Sequence, residues 1–182
     1  MTGNEHLEYV LTHFRHYDPE RGYYLTFEDV IKRAIQIYAH RDLYAYLYGC
    51  DGQTADIALI ERQVMKYPGH FINRDIEAIK AYTVGKTVFD CSGFIHTIFG
   101  APDRTARGII AECTDVTSDL ASGVEGSCLY KPGHIGLDIG HGCFIHIASE
   151  LQTFRLEVIR EYDWSKSGIW SEYADYTGAN NE

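Results

Sequence analysis

Partway along this chain the apolar residues change their spacing, and that change restricts the fold more than any other property of the sequence. Up to about residue 113 they recur every three or four positions, as on the buried face of a helix; beyond it they alternate, as in strands that bury one face. Thr26 is placed to cap a helix in which Phe27, Val30, Ile31, Ala34, Ile35 and Tyr38 repeat at helical spacing, with Asp29 at the third position. A second helix is expected from near Thr54, carrying Ile57, Leu59, Ile60, Val64 and Met65 and stopping at Pro68-Gly69, and a third from Asn73 with Ile76 and Ile79. Phe94, Ile95, Ile98 and Phe99 form a further stripe, capped by Asp90 and ended by Gly100 and Pro102. After a short helix around 109–113, strands are expected over 127–130, 134–139, 143–147 and 154–159. Helices followed by an antiparallel sheet predict an α+β fold rather than alternating βαβ units. With no repeat, low-complexity tract or Pro-rich linker, residues 1–80 read as a helical extension packed on a core of residues 81–182.

A length of 182 residues with 45% hydrophobic content is enough for one cored domain with an extension. Twenty-six acidic against 16 basic residues leave a charge of −10, which repels phosphate backbones, so nucleic acid is not an expected partner. No stretch is apolar enough for a leader peptide or a membrane span. The expectation is a protein without a signal peptide, either cytoplasmic or released without a leader in the manner of a phage-type lytic enzyme. Five cysteines are an odd number with no CxxC spacing, and the nine histidines show no ligand spacing. Reduced thiols, no metal and no cofactor are expected.

One cysteine stands apart by its context. If Asp90 caps the helix, Cys91 lies in its first turn, where unpaired N–H groups and the helix dipole favour a thiolate. Gly93 lets that helix start approach a neighbouring element closely. In the strand that follows, alternation puts His134, Gly136 and Asp138 on one face and Ile135, Leu137 and Ile139 on the other. A thiol at a helix start and an imidazole on a strand are what a cysteine nucleophile and its general base require. The base needs a group to hold its far nitrogen, and His146 is the leading candidate. It lies 12 positions after His134, an even number, so an odd-length turn or a bulge around Gly140-His141-Gly142 puts both rings on one face. Asp138 is the rival, but four strand residues of about 3.3 Å set it roughly 13 Å away. His96, five residues past Cys91 on the helix, is expected to be structural or solvated, and His141 at the turn to be exposed.

Asp90-Cys91-Ser92-Gly93-Phe94, then Gly133-His134-Ile135-Gly136, then a polar residue 12 positions after the histidine, resemble the NlpC-type family of papain-like cell-wall cysteine peptidases over roughly residues 81–148. The resemblance implies a papain-like fold, a nucleophile helix packed on an antiparallel β-sheet. It also implies hydrolysis of peptidoglycan stem peptides, typically between D-glutamate and the following diamino acid. Cys91 would be the nucleophile, His134 the base and His146 its orienter, with Asp90 and Ser92 lining the substrate cleft. Tyr82, in a Tyr82-Thr-Val-Gly85-Lys86 segment similar to the family's Y-x-x-G-G loop, would contribute to the oxyanion site. Two features depart from the pattern: Lys86 replaces the second glycine, and Gly126-Ser127-Cys128-Leu129 lacks the family's aspartate before the histidine strand. Two other readings share these residues, a catalytically silent module that binds wall fragments or a protein, and a muramoyl-L-alanine amidase with the same triad. The extension over 1–80 either covers one wall of the cleft or serves only as packing.

Overall fold

The computed structural model describes residues 1–175, so residues 176–182 of the expected 81–182 core lie outside the described residues. The chain opens with α1 (Gly3–His13), a hairpin of β1 (His16–Asp18) and β2 (Gly22–Tyr24), and α2 (Phe27–Ala39). Thr26 caps α2 reciprocally: its hydroxyl accepts from Asp29 N–H while the Asp29 carboxylate accepts from Thr26 N–H. Then come β3 (Tyr44–Tyr46), β4 (Asp51–Thr54), α3 (Ile57–Lys66), α4 (Pro68–Phe71), α5 (Ile76–Thr83) and β5 (Thr87–Phe89). Asp56 and Asp75 cap α3 and α5, each accepting from the N–H three residues on.

The stretch read as purely helical therefore also contains strands. β5 lies between β3, its parallel neighbour, and β4, its antiparallel one. These strands are three or four residues long, too short for a periodicity to emerge, and β3 and β5 are buried at every position, which removes the alternation that marks a half-buried strand.

Beyond β5 come α6 (Cys91–Phe99), α7 (Ala106–Glu112), β6 (Thr114–Thr117), β7 (Cys128–Lys131), β8 (His134–Gly140), β9 (Cys143–His146), β10 (Arg155–Val158) and β11 (Lys166–Ile169). The last six strands make one antiparallel sheet in the order β10-β9-β8-β7-β11-β6. The protein is thus α+β, with α6 packed on β8 of this sheet.

Phe94, Ile95 and Ile98 of α6 are wholly buried in one apolar cluster with Ile135 and Leu137 of β8 and Ile145 of β9. Side chains of this size each contribute about 1.5–3 kcal/mol on burial, so this face, rather than helix propensity, holds the nine-residue α6 in place. Val10 of α1 and Val30 and Ile37 of α2 belong to the same cluster, so residues on both sides of position 80 bury one another.

Arg33, on α2, is buried among these helices, and its guanidinium donates to three carbonyls: Leu11 at 2.7 Å, Phe14 at 2.9 Å and Ile98 at 2.7 Å. It thereby ties the ends of α1 and α6 to α2, satisfying acceptors that a helix end leaves open. Burial lowers its pKa to about 10, which still leaves it charged at neutral pH. No helix among the described residues is long and apolar enough to cross a membrane.

Candidate active site

β5 runs directly into Asp90, whose carboxylate accepts from Gly93 N–H at 2.7 Å and Ser92 Oγ at 3.0 Å on one oxygen and from Gly49 N–H at 2.9 Å on the other. One side chain thus caps α6, fixes Ser92 and anchors the loop before β4. Burial raises the Asp90 pKa, and these three hydrogen bonds oppose the shift. Gly93 has a steric function: a Cβ there would stand 2.1 Å from the Cys50 carbonyl oxygen. That oxygen also accepts from Asp90 N–H at 2.7 Å.

Cys91, at the first position of α6, is only 9% exposed, and it borders a cleft of about 370 Å³ shared with Asp90, Ser92, Tyr46, Tyr48 and His96. Backbone N–H groups, chiefly that of Ile135 on β8, lie near its sulfur and favour the thiolate. Burial and the nearby Asp90 charge outweigh these donors and push the thiol up to about 12. The helix start, expected to favour a thiolate, is outweighed. Desolvation and a like charge exceed the dipole's help, and the resting group is a thiol.

β8 and β9 pair with Leu137 opposite Ile145 and Asp138 opposite Phe144, and the register then shifts between Asp138 and Gly140. This bulge, with the two-residue turn His141-Gly142, sets both histidines on one face, and His134 Nε2 lies 2.7 Å from His146 Nδ1. Trp164 stacks on the His134 ring at 5.4 Å between centroids and 11° between planes. Gly136 makes room for it, since a Cβ there would come within 3.1 Å of the indole. The other nitrogen of His146 is 3.3 Å from Glu157 on β10, within ion-pair range but not aligned as a hydrogen bond, and Glu157 is itself bridged by Arg155 at 2.5 Å. Burial lowers both imidazoles, His134 to about 3 with help from His146 and Lys131, and His146 to about 4 with help from Arg155 and Lys131. The proximity of Glu157 alone points the other way, but burial and the compensating Arg155 charge decide the direction for His146.

These shifts make stability depend on pH. The unfolded histidines titrate near 6.5, so between there and about 4 the unfolded chain binds more protons than the folded one. Stability is level above that window and falls as the pH drops through it, by up to about 1.4 kcal/mol per pH unit for each histidine. Asp138, pushed up to about 6 mainly by burial, acts oppositely, because its folded form binds the extra proton. In urea titrations between pH 7 and 4.5, His146→Gln is expected to lose less stability than the wild type. Equal losses would contradict the buried neutral pair.

Among the described residues no hydrogen bond joins Cys91 to His134; the sulfur lies instead against the N–H of the next residue, Ile135. Tyr82 is not brought to the cleft. It packs on a second apolar cluster and faces Lys86, whose ammonium lies 3.8 Å from the ring centre. Lys86, the residue that breaks the glycine pattern, thus gives Tyr82 a partner of its own. The tyrosines that border the cleft are Tyr46, Tyr48 and Tyr67, and burial, then the Cys91 and Asp90 charges, raise the Tyr46 pKa. The alternation Tyr44, Tyr46, Tyr48 is a strand signal that could have pointed to the first two. Trp164 and Glu157 carry no comparable signal, although Gly136 reserved the space that Trp164 fills.

His96, expected to turn away from the site, is buried at the cleft, with Nε2 3.4 Å from the exposed Asp103. His141 is exposed at its turn. Asp138 accepts from Gly140 N–H and borders a separate hollow of about 690 Å³ that contains neither Cys91, His134 nor His146. That hollow is larger than the cleft, yet the thiol lies in the cleft. Among the described residues no cluster of three or more His, Cys, Asp or Glu is placed to hold a metal.

The chain is similar in structure to NlpC2 of Trichomonas vaginalis, with 15% identity over 78% of this chain and 47% of that one and a TM-score of 0.48. It is similar also to NlpC1 of the same organism, with 14% identity over 86% of this chain and 47% of the other and a TM-score of 0.49. It spans about half the length of each. No family model and no curated protein sequence matches it.

Proposed function

We propose that the chain is a cysteine peptidase that hydrolyses amide bonds of peptidoglycan stem peptides, cutting between D-glutamate and the following diamino acid. The reading rests on one observation above all: the strand whose Ile135 N–H lies near the Cys91 sulfur also carries His134, whose Nε2 is held 2.7 Å from His146 Nδ1. The substrate class rests on the Asp90 to Phe94 and Gly133 to Gly136 motifs.

The neutral pair has a favoured proton order. Glu157, 3.3 Å from His146 Nε2, favours a proton on that nitrogen, which makes His146 Nδ1 an acceptor. His134 then donates from Nε2, and its Nδ1 is left unprotonated, the form a general base needs. In the reaction His134 Nδ1 takes the Cys91 proton as the sulfur attacks the scissile carbonyl. The same proton passes to the departing amine, and water then cleaves the thioester with His134 again as base. The developing oxyanion is stabilised by backbone N–H at the start of α6 and by the Tyr46 hydroxyl, in the role the family pattern gives to Tyr82. Asp90 and Ser92 line the substrate side, and a substrate amine is the natural partner for the Asp90 carboxylate.

Incubating the protein with purified peptidoglycan and identifying the fragments by mass tests the reading. New D-glutamate carboxyl and diamino-acid amine ends are expected. Release of intact stem peptides from muramic acid would instead assign a muramoyl-L-alanine amidase. The raised thiol and the absent Cys91–His134 hydrogen bond favour, as a second reading, a silent module that binds wall fragments. Binding without any product would establish that one.

A further inference from the structure

Cys113 and Cys128 meet where α7 ends against the sheet. Cys128, on β7, is wholly buried and pairs in register with Gly168 of β11, so the two point to the same face. On that face the Cys113 Cβ occupies the place a side chain at 168 would need, 2.7 Å from a Cβ built there. Gly168 thus keeps open the space above Cys128 that Cys113 fills, and the two thiols are close enough to interact. Cys113 is half-buried at the C-terminal cap of α7, so one member of the pair is open to a reagent while the other is sealed in the core. Of the five cysteines, Cys50 is buried in the second apolar cluster, Cys91 is in the cleft and Cys143 bonds to the His141 carbonyl. Cys50 also borders that cleft.

We propose that Cys113 and Cys128 are a redox pair that closes to a disulfide under a small-molecule disulfide such as oxidised glutathione. The Cys113 thiol loses its proton and attacks one glutathione sulfur, releasing the first glutathione thiol. Cys128 then loses its proton and attacks the Cys113 sulfur of the mixed disulfide, releasing the second. Two protein thiols are oxidised by two electrons, and the glutathione disulfide is reduced by the same two. Closure ties the end of α7 to a central strand and encloses β6 in a short loop. The opposite end of α7, with Thr105 and Arg107, borders the Cys91 cleft, so the link braces one wall of the site.

The test exposes the full chain to graded ratios of reduced and oxidised glutathione, blocks free thiols, and maps peptides without reductant after cleavage at acidic residues. Asp115, Asp119 and Glu125 separate the two cysteines. A linked pair of peptides, two hydrogens lighter than their sum and split by dithiothreitol, is expected. A loop of this size is expected to raise the unfolding temperature by about 6–12 °C over the reduced protein. Cys113→Ser, which leaves the buried Cys128 untouched, should show no rise. Cys113 and Cys128 both remaining open to alkylation after full oxidation, or either linking to another cysteine, would overturn the proposal. So would an equal rise in Cys113→Ser.

Discussion

Purified Cys91→Ala is expected to lose stem-peptide turnover by about 10⁴-fold or more, with an unchanged far-ultraviolet spectrum and a urea midpoint close to the wild type. Removing the nucleophile leaves only oxyanion stabilisation and binding, which do not form the covalent intermediate. His134→Ala is expected to lose about 10²- to 10⁴-fold, the usual contribution of a general base. The order follows from the resting charges: with the thiol pushed up to about 12 and His134 down to about 3, no thiolate is stored in the resting protein. The proton must move during attack, so both groups are needed in one step. Iodoacetamide separates this from the silent reading. Free Cys91 should react slowly at neutral pH, and a substrate-like peptide that carries an electrophile should modify it far faster, in a manner that His134→Ala abolishes. Retained turnover by Cys91→Ala would sink the peptidase.

The second large effect is on the fold. Gly93→Ala is expected to destabilise the protein by about 3 kcal/mol or more, read as a lower urea midpoint. The added methyl would stand 2.1 Å from the Cys50 carbonyl oxygen, and backbone cannot swing aside as a long side chain can. Relief requires the 47–50 segment to leave the helix start, which breaks the Asp90 bonds to the Cys50 carbonyl and to Gly49 N–H. Gly108→Ala is the control, since a Cβ there meets nothing nearer than 3.4 Å. A Gly93→Ala midpoint equal to that of the control would show that the contact yields cheaply.

Much of what depended on local chemistry could be read from the sequence, although α1, with its reciprocal Thr2–Glu5 cap, was missed. The caps at Thr26 and Asp90 follow from short-range hydrogen bonding, and α2 and α6 appear where their apolar stripes predict. The facing of His134 and His146 followed from strand parity, and the turn took the bulge among the two permitted solutions. Whatever depended on long-range packing could not be read. β3 and β5 are three buried residues each, stabilised by one another across more than 40 positions of chain, so neither carries a pattern of its own. The same pairing brings Tyr46 rather than Tyr82 to the cleft. The charge state of Cys91 was misjudged because a helix start is visible in sequence and its depth of burial is not.

Arg33 has a consequence for the order in which the molecule is made. Its partners Leu11 and Phe14 precede it in the chain, whereas Ile98 lies 65 residues further on. In a chain growing from its N-terminus, the Leu11 and Phe14 carbonyls are made before Arg33, and the Ile98 carbonyl only long after it. The segment that bears Cys91 is thus held at its far end by a side chain made 65 residues earlier, so the proposed nucleophile depends on a residue far from the cleft for the seating of its helix.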